Sequence, residues 1–127
     1  MIHVDTNLLI ASVDPTHEYA KLWPELIASG DSFGASAVAW TEFRSLPVSH
    51  DQLRALDQLL LGGILAYERS QADLAGELFQ KTGARRNNRL NTMIAAAAIL
   101  AGVNLATVNQ DDFEAFRAFG LKLHRFE

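Results

Sequence analysis

No cysteine occurs anywhere in the chain, which removes disulfides, thiolate metal ligands and cysteine nucleophiles at once. That agrees with a reducing compartment without demanding one. Long apolar runs are missing as well: MIAAAAILAGV falls short of the roughly 20 residues that a bilayer-spanning helix requires. The opening MIHVDTNLLI has neither a basic segment nor a small-residue cleavage site, so the expectation is a soluble, cytosolic protein with no membrane contact. An excess of positive charge is lacking too. Charged residues make up 20% of the chain and the formal net charge is -4, which excludes a disordered composition and a globally basic nucleic-acid binder. Any nucleic-acid contact has to be local. No glycine spacing follows the first apolar run and no GxxxxGK[ST] occurs, so dinucleotide and P-loop sites are not indicated. His3, His17, His50 and His124 are scattered, without HxxxH or HExxH spacing, which speaks against zinc and against a catalytic triad. His3 falls within the first strand and reads as packed.

What the chain has is apolar residues in periodic order. With 49% hydrophobic residues among 127, it can bury a core of its own, and one domain over residues 1–127 is expected. MIHV reads as a strand ending at Asp5. TNLLIASVD follows, and PTHEYAKLWPELIASG carries apolar residues at helical spacing up to Gly30. DSFGAS is a short strand, and SAVAWTEFRSL a helix capped by Ser36 that stops before Pro47. HDQLRALDQLLLG reads as an amphipathic helix and GILAYE as a strand. SQADLAGELFQKTG is a helix with Ser70 as cap and Gly83 as stop. NRLNTMIAAAAILAG is helical and apolar on most faces, NLATV is a strand, DDFEAFRAFG a helix, and LKLHRF alternates as an edge strand would. Strands alternating with helices give an α/β sandwich with a mainly parallel sheet. No linker or repeat divides it. A phospho-acceptor receiver domain shares this alternation, but it needs an aspartate after the third strand, where this chain has YERS.

Sites in open parallel sheets form at the carboxyl ends of strands. Asp5 is placed there, and an acid directly after an apolar strand is hard to explain by packing, because a carboxylate close to burial needs a partner. VDTN at 4–7, NRLN at 88–91 and TVNQDD at 107–112 follow strands or open helices, and Glu42 lies on the helix after the second strand. Together these offer a ring of oxygen ligands suited to a hard cation. Taken singly, Asp111 and Asp112 are equally well explained as helix-capping acids, and Glu42 as a solvated helix residue.

MIHVDTNLLI, SAVAWTEF, LNTMIAAAAILAG and LATVNQDDF, in that order and spanning nearly the whole chain, resemble the motifs of PIN domains, in particular the toxins of VapBC-type toxin-antitoxin pairs. The resemblance implies a PIN-like three-layer α/β sandwich and an endoribonuclease dependent on Mg²⁺ or Mn²⁺. It also implies action on RNA, with tRNA or rRNA as candidates, frequent homodimers, and inhibition by a cognate antitoxin protein. Family members hold the metal with three or four acids. Carried over by position, Asp5 matches the first and Glu42 the second, while the third falls on Asn91, an amide. The fourth falls on Asn109 in one alignment and on Asp112 in another.

An amide does half of a carboxylate's work. Its carbonyl oxygen can ligate, but it brings no charge and is no base, so Asn91 weakens a metal site. Three origins are consistent with it: an engineered inactivating Asp→Asn change, a natural member working with Asp5, Glu42 and Asp112, or a degenerate member retained for RNA or protein binding. Asn91 as a simple helix cap is a fourth reading. Lys81, Arg85, Arg86 and Arg89 lie within nine positions just before this residue, four of the eleven cations in the chain. They suit phosphate, arginine especially, because its planar fork donates two hydrogen bonds; a solvated loop or an acidic antitoxin segment would account for them too. Thr6 and Asn7 could hold the metal's water or cap the first helix, the latter favoured for Asn7. KLWPELI and LDQLLLGG form an apolar stripe that is either ordinary core or a seat for an antitoxin helix.

Overall fold

The computed structural model describes residues 1–127. Its central strand, β1 (Ile2–Val4), is buried at every position, with Ile2 and Val4 on one face and His3 on the other, because helices cover both sides of the sheet. Two strands pair with it directly, β2 (Phe33–Ser36) and β4 (Asn104–Ala106), and the edges are β3 (Gly63–Leu65) and β5 (Lys122–Leu123). All pairings are parallel and the order is β3-β2-β1-β4-β5. The chain therefore walks outward from β1 to β3, then returns across the sheet to β4. The reversal of strand order between β1 and β4 is the crevice where open α/β sheets place their ligands. Val4 is in register with Ala106, so the residues that follow, Asp5 and Thr107, leave the sheet side by side.

The connecting helices are α1 (Thr6–Val13), α2 (Trp23–Ala28), α3 (Ala37–Arg44), α4 (His50–Leu59), α5 (Arg69–Lys81), α6 (Arg89–Ala101) and the single turn α7 (Gln110–Phe113). Ser36 caps α3 by accepting the Ala39 N–H at 3.1 Å, and α4 opens on a reciprocal cap between Ser49 and Gln52. Helix α1 packs against α3 and α4, while α5 packs on α6 and α6 lies against β2 and β4. Close approach of α6 to the sheet follows from its sequence: Ala95, Ala96, Ala97 and Ala98 are all buried, and side chains this small bring the helix backbone near the strands. Trp23 is buried beside Phe33 with its indole N–H donated to the Leu8 carbonyl at 2.8 Å, which removes the cost of a buried donor.

Several expected boundaries shift. The helix expected over residues 15–30 is a 3₁₀ turn at Ala20–Leu22 followed by the short α2. Asp14 explains the loss: its carboxylate accepts from both the backbone and hydroxyl of Thr16, a local turn that competes with helix. Ser70 is not the cap of α5, which is capped two residues earlier by Glu68, because the Gln71 side chain reaches back to the Glu68 N–H. The last helix is α-helical for one turn and then 3₁₀ over Glu114–Phe119, and LKLHRF pairs through two residues only.

The alanine row yields a stability test. Ala96→Leu should destabilise the fold by about 1–3 kcal/mol through overpacking between α6 and the elements around it, read as a lower urea midpoint. A midpoint equal to that of the parent would show that this face of α6 has room to spare.

Candidate active site

Asp5 is 4% exposed, and each of its oxygens has a task. At φ -78° and ψ 168° it is the N-cap of α1, and Oδ1 accepts the Thr6 N–H at 2.7 Å. Oδ2 accepts the Thr107 hydroxyl at 2.8 Å, a bond across the crevice between β1 and β4. Thr107 Oγ1 in turn accepts the Asn109 N–H at 3.1 Å, and the Thr107 carbonyl takes the Gln110 amide at 2.6 Å. On the other side, the Thr6 hydroxyl donates to Glu42 Oε1 at 2.8 Å, made possible because α1 packs on α3. A continuous polar chain thus runs from Glu42 through Thr6 and Asp5 to Thr107 and the start of α7. The helix-capping role expected of Asn7 belongs to Asp5; Asn7 is half-buried at the second position of α1.

Burial pushes the Asp5 carboxyl above its usual range; the hydrogen bonds from Thr6 and Thr107 oppose the shift, and the neighbouring Glu42 charge adds to it. Neither Asp5 nor Glu42 forms an ion pair. A buried carboxylate next to a second carboxylate, with no lysine or arginine to answer either, is a donor set that a hard divalent cation fits.

Asn91 stands apart from a capping role. It is the third residue of α6, while Asn88 occupies the N-cap. Its amide donates to Asn88 Oδ1 at 3.0 Å. Asn88, Asn91, Arg85, Asp111 and Asp112 line one polar cleft of about 270 Å³, closed by Thr82 and Ala115. Asp112 lies in the first turn of α7, and its N–H donates to the carbonyl of Asn109, which itself lines a neighbouring hollow with Asp111 and Asp112. Nowhere are three acidic or histidine side chains grouped closely enough to hold one ion. The structure therefore brings Asp5 to Glu42, and Asn91 to Asp112, without closing a single ring of carboxylates.

The basic cluster divides as well. Arg85 faces the Asn91 cleft. Arg86 is exposed in the 3₁₀ turn Arg86–Asn88, and Arg89 opens α6 with its guanidinium 4.8 Å from the centre of the Phe79 ring. None of the three is ion-paired, whereas Lys81 is bound to Glu77 at 2.6 Å and sits 5.7 Å above Phe119. A sharp reversal presents these arginines: Gly83 and Ala84 both have positive φ, 93° and 54°, and the Ala84 N–H returns to the Phe79 carbonyl at 2.8 Å. The residue that sequence reasoning passed over is Thr107. Its one signal was position, a hydroxyl directly after an apolar strand, parallel to Asp5.

Away from the crevice, an apolar groove of about 780 Å³ runs between α1, α2 and α4, lined by Ala11, Val13, Trp23, Ile27, Ala55 and Leu59. It collects the stripe from KLWPELI and LDQLLLGG. No helix is long and apolar enough to cross a membrane.

The sequence model of the PIN domain matches residues 2–118. No curated protein matches the chain significantly. Among solved structures, it is similar in fold to a chain of VapBC2 from Rickettsia felis bound to a promoter DNA fragment, with TM-score 0.69, 21% identity and full coverage of both chains. FitAcB from Neisseria gonorrhoeae gives TM-score 0.66 at 23% identity, covering 98% of this chain and 97% of the other. DNA-bound VapBC from Salmonella typhimurium gives 0.67 at 20%, covering 97% and 96%. The match over residues 2–118 agrees with an all-parallel sheet that carries an acid at the end of its first strand, and the chain belongs to the PIN domain family.

Proposed function

We propose that this chain is a divalent-metal-dependent endoribonuclease, the toxin of a toxin-antitoxin pair acting in the cytoplasm, with an active site attenuated by Asn91. The observation that carries the reading is the cation-free pair of buried Asp5 and half-buried Glu42, joined through Thr6 at the crevice of the sheet. Family membership and the toxin-antitoxin complexes among its structural neighbours support it.

Asp5 and Glu42 would hold Mg²⁺ or Mn²⁺, with Asn91 supplying a neutral oxygen and Asp112, or Asn109, approaching from the α7 side. Such an ion lowers the pKa of bound water and offsets charge on the scissile phosphate. The chain's own residues do the rest. Thr107 and the Thr6 N–H fix the Asp5 carboxylate in one orientation, so that it need not reorganise during the reaction. Thr6 holds Glu42 through its hydroxyl, with Asn7 next to it in the first turn of α1; Glu42, less buried than Asp5, is the candidate to accept a proton from water. Arg85, Arg86 and Arg89 carry unanswered charge along the approach to Asn91 and would bind RNA phosphates, with Lys81 at the margin. The apolar groove between α1, α2 and α4 is large enough for an antitoxin helix, and a homodimer is the expected assembly.

One observation favours a second reading. With no three acids grouped and the Asn91 amide bonded to Asn88, the chain could serve as a catalytically silent RNA- or protein-binding module. The experiment that separates the two is cleavage of a structured RNA pool in Mn²⁺ by this chain, its Asn91→Asp form and its Asp5→Ala form. The proposal expects weak cutting by the parent, more by Asn91→Asp, and a loss of about 100-fold or more in Asp5→Ala. Equal cutting by all three would sink the site assignment, and no cutting by either carboxylate form would leave the binding module.

The Asp5 carboxyl has its proton affinity raised by folding, so its contribution to stability is full below the unfolded pKa and is lost as pH rises through the folded one. Without metal, Asp5→Asn should flatten the pH dependence of thermal stability above pH 4 and leave the protein at least as stable at neutral pH. Mn²⁺ at a hundredfold its Kd should stabilise the parent by about 2.7 kcal/mol and Asp5→Asn far less. A parent indifferent to Mn²⁺ would argue against a cation at this pair. Arg86→Ala should reduce the salt slope of RNA binding by about 0.7, the share of one phosphate contact on a single strand; an unchanged slope would assign Arg86 to solvent.

A further inference from the structure

Beside the arginine turn, on the face of the α5–α6 pair, lies a separate hollow of about 200 Å³ lined by Tyr67, Phe79, Arg89, Met93, Ala72 and Gly76. Its chemistry differs from that of the Asn91 cleft. Four features stand together: an aromatic ring, a guanidinium stacked over it at 4.8 Å, a second ring with a hydroxyl that donates to no protein group, and a glycine whose side-chain position opens onto empty space. Burial raises the Tyr67 phenol above its ordinary range, so the ring is partly withdrawn from water. Arg89 has no carboxylate partner, although charged residues surround it in sequence. An unpaired guanidinium beside aromatic rings supplies the groups on which unstacked bases of single-stranded RNA are held.

Size and charge decide the occupant. The hollow is smaller than the roughly 300–1,000 Å³ of sites for drug-sized ligands, and so suits one planar ring and not a docking helix. Arg85 and Arg86 adjoin it through the turn before α6, and the same three arginines, free of ion pairs, match a polyanion threaded past Asn91. Arg89 and Asn91 open opposite faces of the first turn of α6, but Phe79 and Thr82, three residues apart at the end of α5, line the hollow and the Asn91 cleft respectively, so a strand whose phosphate lies at the cleft places a neighbouring base near the hollow. We propose that the Tyr67–Phe79–Arg89 hollow takes one unstacked base of single-stranded RNA next to the bound phosphate, and that it thereby selects unpaired over duplex substrates. This inference rests on the nuclease reading for its ligand class, but it is tested by binding and needs no turnover.

Binding of a short single-stranded RNA and of the corresponding duplex would be measured by fluorescence anisotropy in EDTA, with the full chain. Three variants probe the hollow. Phe79→Leu removes the ring and keeps bulk, Gly76→Leu fills the mouth while favouring the helix, and Arg89→Lys keeps charge without a planar face. The expected result is a loss of about tenfold in single-strand affinity for Phe79→Leu and Gly76→Leu, with duplex binding unchanged and the single-strand salt slope of Arg89→Lys preserved. Thermal unfolding of each variant guards against misfolding, and Gly76→Leu, at an open position, carries the test if Phe79→Leu is unstable. Undiminished single-strand binding in Gly76→Leu overturns the proposal, as does an equal loss on duplex. A change in sedimentation of Gly76→Leu overturns it in favour of contact with a second copy. If the parent binds neither RNA, it is the nuclease reading that has failed.

Discussion

The rest of the site depends on one carboxylate with two obligations. Asp5 must cap α1 immediately after β1, and it must also stand at the crevice where strand order reverses. A helix cap requires an acceptor near the backbone, and the crevice requires one turned toward β4; Asp5 meets both because the Thr6 N–H and the Thr107 hydroxyl take different oxygens. Its burial is unfavourable for a charge with no cationic neighbour. That cost is set against a core, from Leu8 and Leu9 to the alanine row of α6, that is largely apolar, with His3 of β1 as a second buried polar group. Active sites commonly carry such local cost against a stable background.

Around this point the two walls of the crevice differ in character. On the α1–α3 wall stand two carboxylates linked by a hydroxyl; on the α6–α7 wall stand amides, an arginine and two exposed aspartates. Asn91 is what separates them chemically. A carboxylate there would add a third negative group beside Asp111 and Asp112, whereas the amide spends a donor on Asn88 and leaves the wall closer to neutral. A neutral amide is a weaker cation ligand than a carboxylate, but it also lessens repulsion of an anion, so the two effects of such a side chain are opposed.

Much of this was legible in the sequence, for identifiable reasons. Alternating strands and helices are a local signal, and so were the Ser36 cap and the alanine-rich α6. Asp5 stood out because an acid after an apolar strand has no packing explanation. Glu42 carried no such local mark, and its assignment came from resemblance. Thr107 was missed because its partner lies 102 positions away and no local pattern encodes that bond. The broken helix before α2 turned on a side chain, Asp14, that competes with its own backbone, and the early start of α5 on a glutamine reaching backward; both are choices between local alternatives that periodicity does not weigh. The division of the oxygen donors into two groups depends on how α6 and α7 meet the sheet, which is a tertiary outcome.

The Asp5–Thr107 bond also sets an order in time. During synthesis from the amino terminus, β1, α1 and α3 emerge early, and Asp5 can cap its helix and meet Glu42 through Thr6 with nothing more than the first 42 residues. Thr107 and β4 emerge only when most of the chain has left the ribosome, and before then the second Asp5 oxygen has no partner and β1 has one open edge. A growing chain is thus kept without a finished crevice until residue 107 has emerged, so the cap of the first helix is made early and the far wall of the crevice only after α5 and α6.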